Sequence, residues 1–156
     1  MKSLKLLLAG VFLGFLLMNS GCGGKSDPTP PPEDVQLGKL SKTWKTSAVT
    51  LDGTSQMANY QNFQLTISGT PGQTANGFNY TVAGRPSLSP WPSNGTFKFG
   101  ADVATQIIRD DGLPITYAVT DTPAPGQLQI TFNYSGAGIA GRVNQVQGNW
   151  VMTFVP

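Results

Sequence analysis

From residue 43 onward the chain alternates between apolar and polar positions. In "NFQLTIS" the residues Phe63, Leu65 and Ile67 are separated by Gln64 and Thr66. Successive side chains of a strand point to opposite faces, so this order places three apolar groups on one face and the polar ones on the other. The same period of two recurs in "FNYTV" (Phe78, Tyr80, Val82), "TFKFG" (Phe97, Phe99), "PITYAVT" (Ile115, Tyr117, Val119), "LQITFNY" (Leu128, Ile130, Phe132, Tyr134) and "WVMTFV" (Trp150, Met152, Phe154). Two less regular runs, "TWKTSAVTL" at 43–51 and "TQIIRD" at 105–110, bring the predicted strands to eight. Gly-, Pro-, Asn- and Asp-rich breaks such as "DGTS", "DDGLP" and "DTPAPG" separate them.

Beyond the N-terminus no stretch repeats apolar residues at three- and four-residue spacing for more than a turn, so helix content is expected to be low. "ADVATQ" at 101–106 is long enough for one turn, and 136–147 is too glycine-rich for a helix, its Arg142 and Val143 expected instead to begin or extend the last strand. One-sided strands joined mostly by short turns predict an all-β, eight-stranded antiparallel up-and-down barrel. The alternative is a β-sandwich, but the cysteine pair usual in immunoglobulin-like sandwiches is absent, since the chain has one cysteine.

That cysteine changes the picture at the N-terminus. Lys2 and Lys5 precede the apolar run Leu6–Met18, which gives way to Asn19, Ser20 and Gly21 before Cys22. A basic start, a short apolar stretch and small residues are the layout of a secretory signal, and the run is shorter than the roughly 20 residues a spanning helix needs. Ser20-Gly21-Cys22 resembles the cleavage site of bacterial lipoproteins, in which the cysteine becomes the lipid-bearing first residue. The resemblance implies a signal over 1–21, lipidation of Cys22 and a membrane as partner. A single cysteine in a secreted chain otherwise lacks an explanation. Gly23, rather than Asp, after the cysteine implies sorting to the outer membrane, on its periplasmic or cell-surface face. Residues 23–36, "GGKSDPTPPPEDVQ", carry no apolar period and predict an extended tether reaching roughly 40 Å. The expected organisation is signal 1–21, lipidated cysteine and tether 22–37, and barrel domain 38–156.

Charge and composition exclude more than they reveal. Without Lys2 and Lys5 the chain holds eight basic and eight acidic residues, so no basic face is expected for nucleic acid. There is no histidine, which removes the commonest general base and metal ligand. Asp52, Asp102, Asp110, Asp111 and Asp121 fall mostly in turn sequences, and adjacent Asp110 and Asp111 would face opposite ways on a strand. No phosphate loop, metal-spaced cluster or nucleophile elbow occurs. The expectation is a non-enzyme with no metal and no cofactor.

Three patterns resemble the lipocalin-like (calycin-type) lipoproteins of Gram-negative bacteria. These are "LSKTWKTSAVTLDG" at 40–53 as the entry strand with its Trp, the hairpin strand "RDDGLPITYAV", and the final "QGNWVMTF". Lys42 stands where lipocalins place the Gly of Gly-x-Trp. The resemblance implies a barrel whose interior and open end bind a small apolar molecule, a glycan or a partner protein.

The candidate contact residues are Trp91, Tyr80, Tyr117 and Tyr134. In "SLSPWPSNG", Pro90 and Pro92 stiffen the loop around Trp91. Either that ring is presented to a partner or it folds back as a lid on one end of the barrel. Tyr80, Tyr117 and Tyr134 face inward on their strands and either line a cavity or help fill the core, which side chains suffice to fill at eight strands. Two functions remain open: a ligand- or partner-binding lipoprotein, or a structural or inhibitory accessory lipoprotein with a solid core.

Overall fold

A computed structural model of the chain describes residues 29–121, 124–136 and 146–156. Cys22 with its signal, and Arg142 and Val143, lie outside the described residues. Helix α1 (Pro32–Leu40) leads into β1 (Thr43–Leu51), a short β2 (Thr54–Ser55), a one-turn α2 (Met57–Tyr60) and β3 (Gln64–Ser68). The remaining strands are β4 (Phe78–Ala83), β5 (Asn94–Phe99), β6 (Gln106–Arg109), β7 (Pro114–Thr120), β8 (Gln127–Tyr134) and β9 (Gly148–Val155).

Every strand pairs antiparallel with its neighbour in the order β1-β3-β4-β5-β6-β7-β8-β9, and β9 returns to β1, so the sheet closes as an eight-stranded barrel. β2 is an extra two-residue strand on the end of β1, joined by the Asp52-Gly53 turn. Both turn residues have positive φ, 47° and 78°, the type I′ geometry that Asp-Gly favours in two-residue hairpins. A bulge at Ser47 shifts the β1–β9 register, and the Ser47 hydroxyl donates to the Thr153 carbonyl at 3.2 Å. The eight strands expected from the alternation are the eight of the wall, and their apolar positions face inward.

The topology gives the barrel two distinct ends. One, the helix end, gathers α1, the segments 69–77 and 100–105, and residues 121 and 124–126. The other, the loop end, gathers 52–63, 84–93, 110–113, 135–136 and 146–147. The helix end departs from the expected tether: the chain is helical from Pro32, not extended through residue 37. Pro at the first helical turn is tolerated because its missing N–H has no helical partner there, and Glu33 and Asp34 suit the positive end of the helix. Leu37 and Leu40 are buried, and the Trp44 indole N–H donates to the Leu40 carbonyl at 2.9 Å, fixing the helix to the first strand. The helix thus forms because the barrel offers it an apolar end to cover. Its own pattern is too weak to signal it.

Candidate functional site

The loop 84–93 decides what the barrel can hold. Pro86, Pro90 and Pro92 donate no backbone hydrogen bonds, so the segment cannot extend the wall and crosses the loop end. Ser89 turns the chain by accepting the Trp91 N–H at 3.1 Å. Two arginines then meet carbonyls of the strap: Arg85 donates to Trp91 O at 3.1 Å and Arg109 to Pro90 O at 2.8 Å.

Held this way, Trp91 points into the barrel and is 0 % exposed. Its ring stands nearly perpendicular to those of Tyr80, Phe97 and Phe132, at centroid distances of 5.8, 6.1 and 5.6 Å, and meets Phe63 at 6.3 Å. Edge-to-face contacts of this kind stabilise aromatic clusters beyond their buried area. The indole N–H donates to Met152 Sδ at 3.0 Å, a weak acceptor on the far strand. Of the two positions open to Trp91, the structure shows the inward lid.

Arg109 is the residue that pattern reading missed. It alternates inward on β6, where an apolar side chain is the rule, and is 1 % exposed. Its guanidinium lies 5.3 Å from the Trp91 ring centroid and 6.0 Å from that of Tyr134, and it grips Asp111 with Nε–Oδ1 at 3.0 Å and Nη2–Oδ2 at 2.6 Å. A planar, permanently charged fork can stack and pair in this way at once. The hydrogen bonds from Arg109 hold the Asp111 carboxyl below its ordinary range, against an opposing push from burial. The sequence signal was the unevenness of "TQIIRD", where a charge occupies an inward position.

The other candidates separate. Tyr80 is buried beside Gly95, where a methyl group would come within 2.6 Å of its hydroxyl, and it stacks on Phe97 at 4.5 Å. Burial drives its pKa well above the usual tyrosine range, with Arg109 opposing. Tyr117 lies toward the helix end, donates to the Val103 carbonyl and is pushed up to about 12 by burial and the nearby Asp102. Tyr60, which the alternation did not flag because it sits on α2, is buried under the same loop as Trp91 and is likewise pushed up to about 12, chiefly by burial. Tyr134 is half-buried and borders a surface depression of about 410 Å3 with Asp111 and Leu113. Two further depressions, of about 320 and 330 Å3, lie against Lys98 and are lined by none of the tyrosines. The four candidates therefore do not surround one cavity: Trp91 and Tyr80 belong to one packed aromatic cluster.

The turn carboxylates are spent on structure. Asp52 Oδ1 accepts from Asn149 N at 2.9 Å, Asp110 Oδ2 from Thr96 N at 3.1 Å, and Asp121 pairs with Lys42 at 3.3 Å on the helix end.

Compared with known proteins, the chain finds no match: no family model, no curated protein and no solved structure. Its class rests on architecture, a closed eight-stranded antiparallel barrel compatible with a lipocalin-like fold.

Proposed function

We propose that the chain is a lipid-anchored accessory protein of the outer membrane whose barrel acts through its outer surface, without a small molecule in its interior. One observation carries this reading: Trp91 occupies the place at the mouth of the barrel that a ligand would take, and four aromatic rings, Arg109 and Met152 close around it. A drug-sized site encloses a cavity of roughly 300–1,000 Å3. Among the described residues, the volumes of this size bordered by Lys98 and by Tyr134 are depressions on the surface. The anchor comes from Ser20-Gly21-Cys22 following an apolar run, and Cys22 carries the lipid in this reading.

Native mass spectrometry of the protein taken from its own membrane tests the interior. The expected mass is that of the processed, acylated chain with no stoichiometric small-molecule adduct. An adduct that disappears on unfolding would restore the ligand-binding reading, with Trp91 as a displaceable lid. Cys22→Ser tests the anchor separately: the variant should lose lipid labelling and accumulate as precursor, and normal processing would refute lipidation.

A further inference from the structure

We propose that the outer face of α1 is a membrane-contact surface: the barrel sits with its helix end on the bilayer that holds the Cys22 acyl chains, and its loop end points away. The inference rests on the anchored reading above and adds where the domain stands. Because the helix begins at Pro32, residues 23–31 are all that lie between Cys22 and its first turn. Those ten residue steps reach at most about 35 Å when fully extended. With the loop end toward the membrane, the same stretch would have to run back past strands of eight residues, about 25 Å long, and past the caps at both ends. That takes all of its reach, whereas with the helix end down any length serves.

Reach alone leaves the tilt open, and the surface of α1 decides it. Leu37 and Leu40 are buried against the barrel, so the opposite stripe, Pro32, Val35 and Gly38 at successive three-residue steps, is exposed. Val35, 43 % exposed, is the one large apolar side chain exposed among the described residues. A single exposed apolar residue is ordinary on a protein surface, but this one stands thirteen residues from the lipid-bearing cysteine. The stripe carries no carboxylate. Asp34 turns to the neighbouring loop, its Oδ1 accepting from Gly72 N at 2.7 Å, and Glu33 is half-buried in the depression beside Lys98. The other acids of this end are engaged as well, Asp102 with the Ala104 N–H at 3.0 Å and Asp121 with Lys42. Lys39, one turn on from Val35, has a stem long enough to carry its ammonium to the phosphate headgroups.

Size argues for lipid over protein as the occupant. From Pro32 to Gly38 the stripe runs about 9 Å along the helix. A stable protein interface needs about 800 Å2 on each side, far more than this stripe offers. A bilayer sets no such minimum once the chain is already attached to it. One valine and its neighbours cannot hold a free domain on a membrane, but the acyl chains make the contact intramolecular, and a short connection gives it a high effective concentration.

The test uses the processed, acylated chain in vesicles of an equal mixture of phosphatidylethanolamine and phosphatidylglycerol, with an environment-sensitive dye on one added cysteine, since lipidation blocks Cys22. Gly38→Cys places the dye on the stripe, where an added side chain meets nothing within 4 Å, and Thr54→Cys places it on exposed β2 at the loop end. Nitroxide-labelled lipid should quench the dye at 38 at least about threefold more than at 54, the contact lying about 5–10 Å into the headgroup and acyl boundary. Adding Val35→Asp to the Gly38→Cys chain should bring quenching down to the level at 54, and Val35→Leu should preserve it. Melting temperatures should stay unchanged, since residue 35 faces outward. Equal quenching at 38 and 54, or indifference to Val35→Asp, would overturn the proposal. So would a dye at 38 that is shielded from water yet not quenched by lipid, which would assign the face to a second copy. Failure of the anchor reading looks different: the chain without an added cysteine takes the dye at a free Cys22 and does not float with the vesicles.

Discussion

The two ends of the barrel are closed by different means, and each centres on a tryptophan. At the helix end the closing element is regular: α1 lays Leu37 and Leu40 over the opening, and its last carbonyl takes the Trp44 indole proton. At the loop end the closing element makes one backbone bond to the wall, the Val82 N–H donating to the Ser93 carbonyl at 2.7 Å, and runs across the opening without a ladder of its own. Proline-rich 84–93 is tied by side chains, with Arg85, Arg109 and Ser89 on its backbone and Trp91 as the plug. A helix satisfies its own backbone and needs only an apolar face. An irregular strap leaves carbonyls without partners, which must be met by buried donors, and that is why a charged residue stands inside the loop end. The difference extends to the ion pairs. Arg109–Asp111 at the loop end is 2.6 Å with side chains 1 % and 46 % exposed, whereas Lys42–Asp121 at the helix end is 3.3 Å with side chains 32 % and 55 % exposed, so the difference lies in the cation, buried in one pair and solvated in the other.

The largest expected effect is at the loop-end plug. Trp91→Ala should destabilise the domain by about 3–5 kcal/mol, as removal of a fully enclosed aromatic ring does. The measurement is equilibrium denaturation. A loss under about 1 kcal/mol, the size of a surface change, would mean that the ring is not the plug. Leu37→Ala tests the helix end, with a loss of about 2–4 kcal/mol, smaller because fewer atoms leave the core. If Leu37→Ala proves silent, the helix does not close the barrel and only the loop end is plugged.

Both closures were the parts of the fold least legible in the sequence. The eight strands could be read because a half-buried strand writes its burial into a period of two, as Leu128, Ile130 and Phe132 do on β8. A cap has no such period. Residues 32–40 carry the proline and charge of a linker, and only Leu37 and Leu40 mark an apolar face, a spacing too short to signal a helix. Loop 84–93 was recognisable as lying outside the wall from its prolines, yet nothing in "SPWPS" says whether Trp91 points out or in. That depends on the space left by Phe63, Tyr80, Phe97 and Phe132, which are remote in sequence. Arg109 was hidden for a related reason: its partners, the Pro90 carbonyl and the Trp91 ring, come together only once the barrel closes.

The polar latch ranks next. Arg109→Met keeps the bulk but strands the Pro90 carbonyl and Asp111, with an expected loss of about 1–3 kcal/mol. It should also abolish the acid sensitivity that the latch confers. Because Asp111 titrates below its unfolded value in the folded protein, its contribution is present above the ordinary carboxylate range, near pH 4, and fades as pH falls through its lower folded value. The outcome to look for is a drop in melting temperature below about pH 4 that is reduced in Asp111→Asn. The sign reverses at the other extreme. Tyr60 near the loop end and Tyr117 near the helix end both titrate at about 12 when folded, so the stability from their neutral forms is complete below the ordinary tyrosine value and is lost as pH rises toward 12. Phe substitutions at either position should flatten the alkaline limb.

The smallest effect belongs to the helix-end ion pair, and it sharpens the comparison because it is a similar contact in different surroundings. Lys42 pairs with Asp121 across the surface and rests its ammonium 5.2 Å from the Trp44 ring centroid. Water screens both charges, and the long lysine chain loses rotamer freedom to hold one geometry. Lys42→Ala should therefore change stability by less than about 1 kcal/mol, most of it from the lost cation–ring contact rather than the pair. Raising the salt concentration separates these contributions, since an exposed pair weakens when the Debye length falls to about 3 Å at 1 M while the buried contacts of Arg109 are screened much less. An effect at Lys42 as large as that of Arg109→Met, and insensitive to salt, would mean that solvent exposure does not set the difference between the two ends.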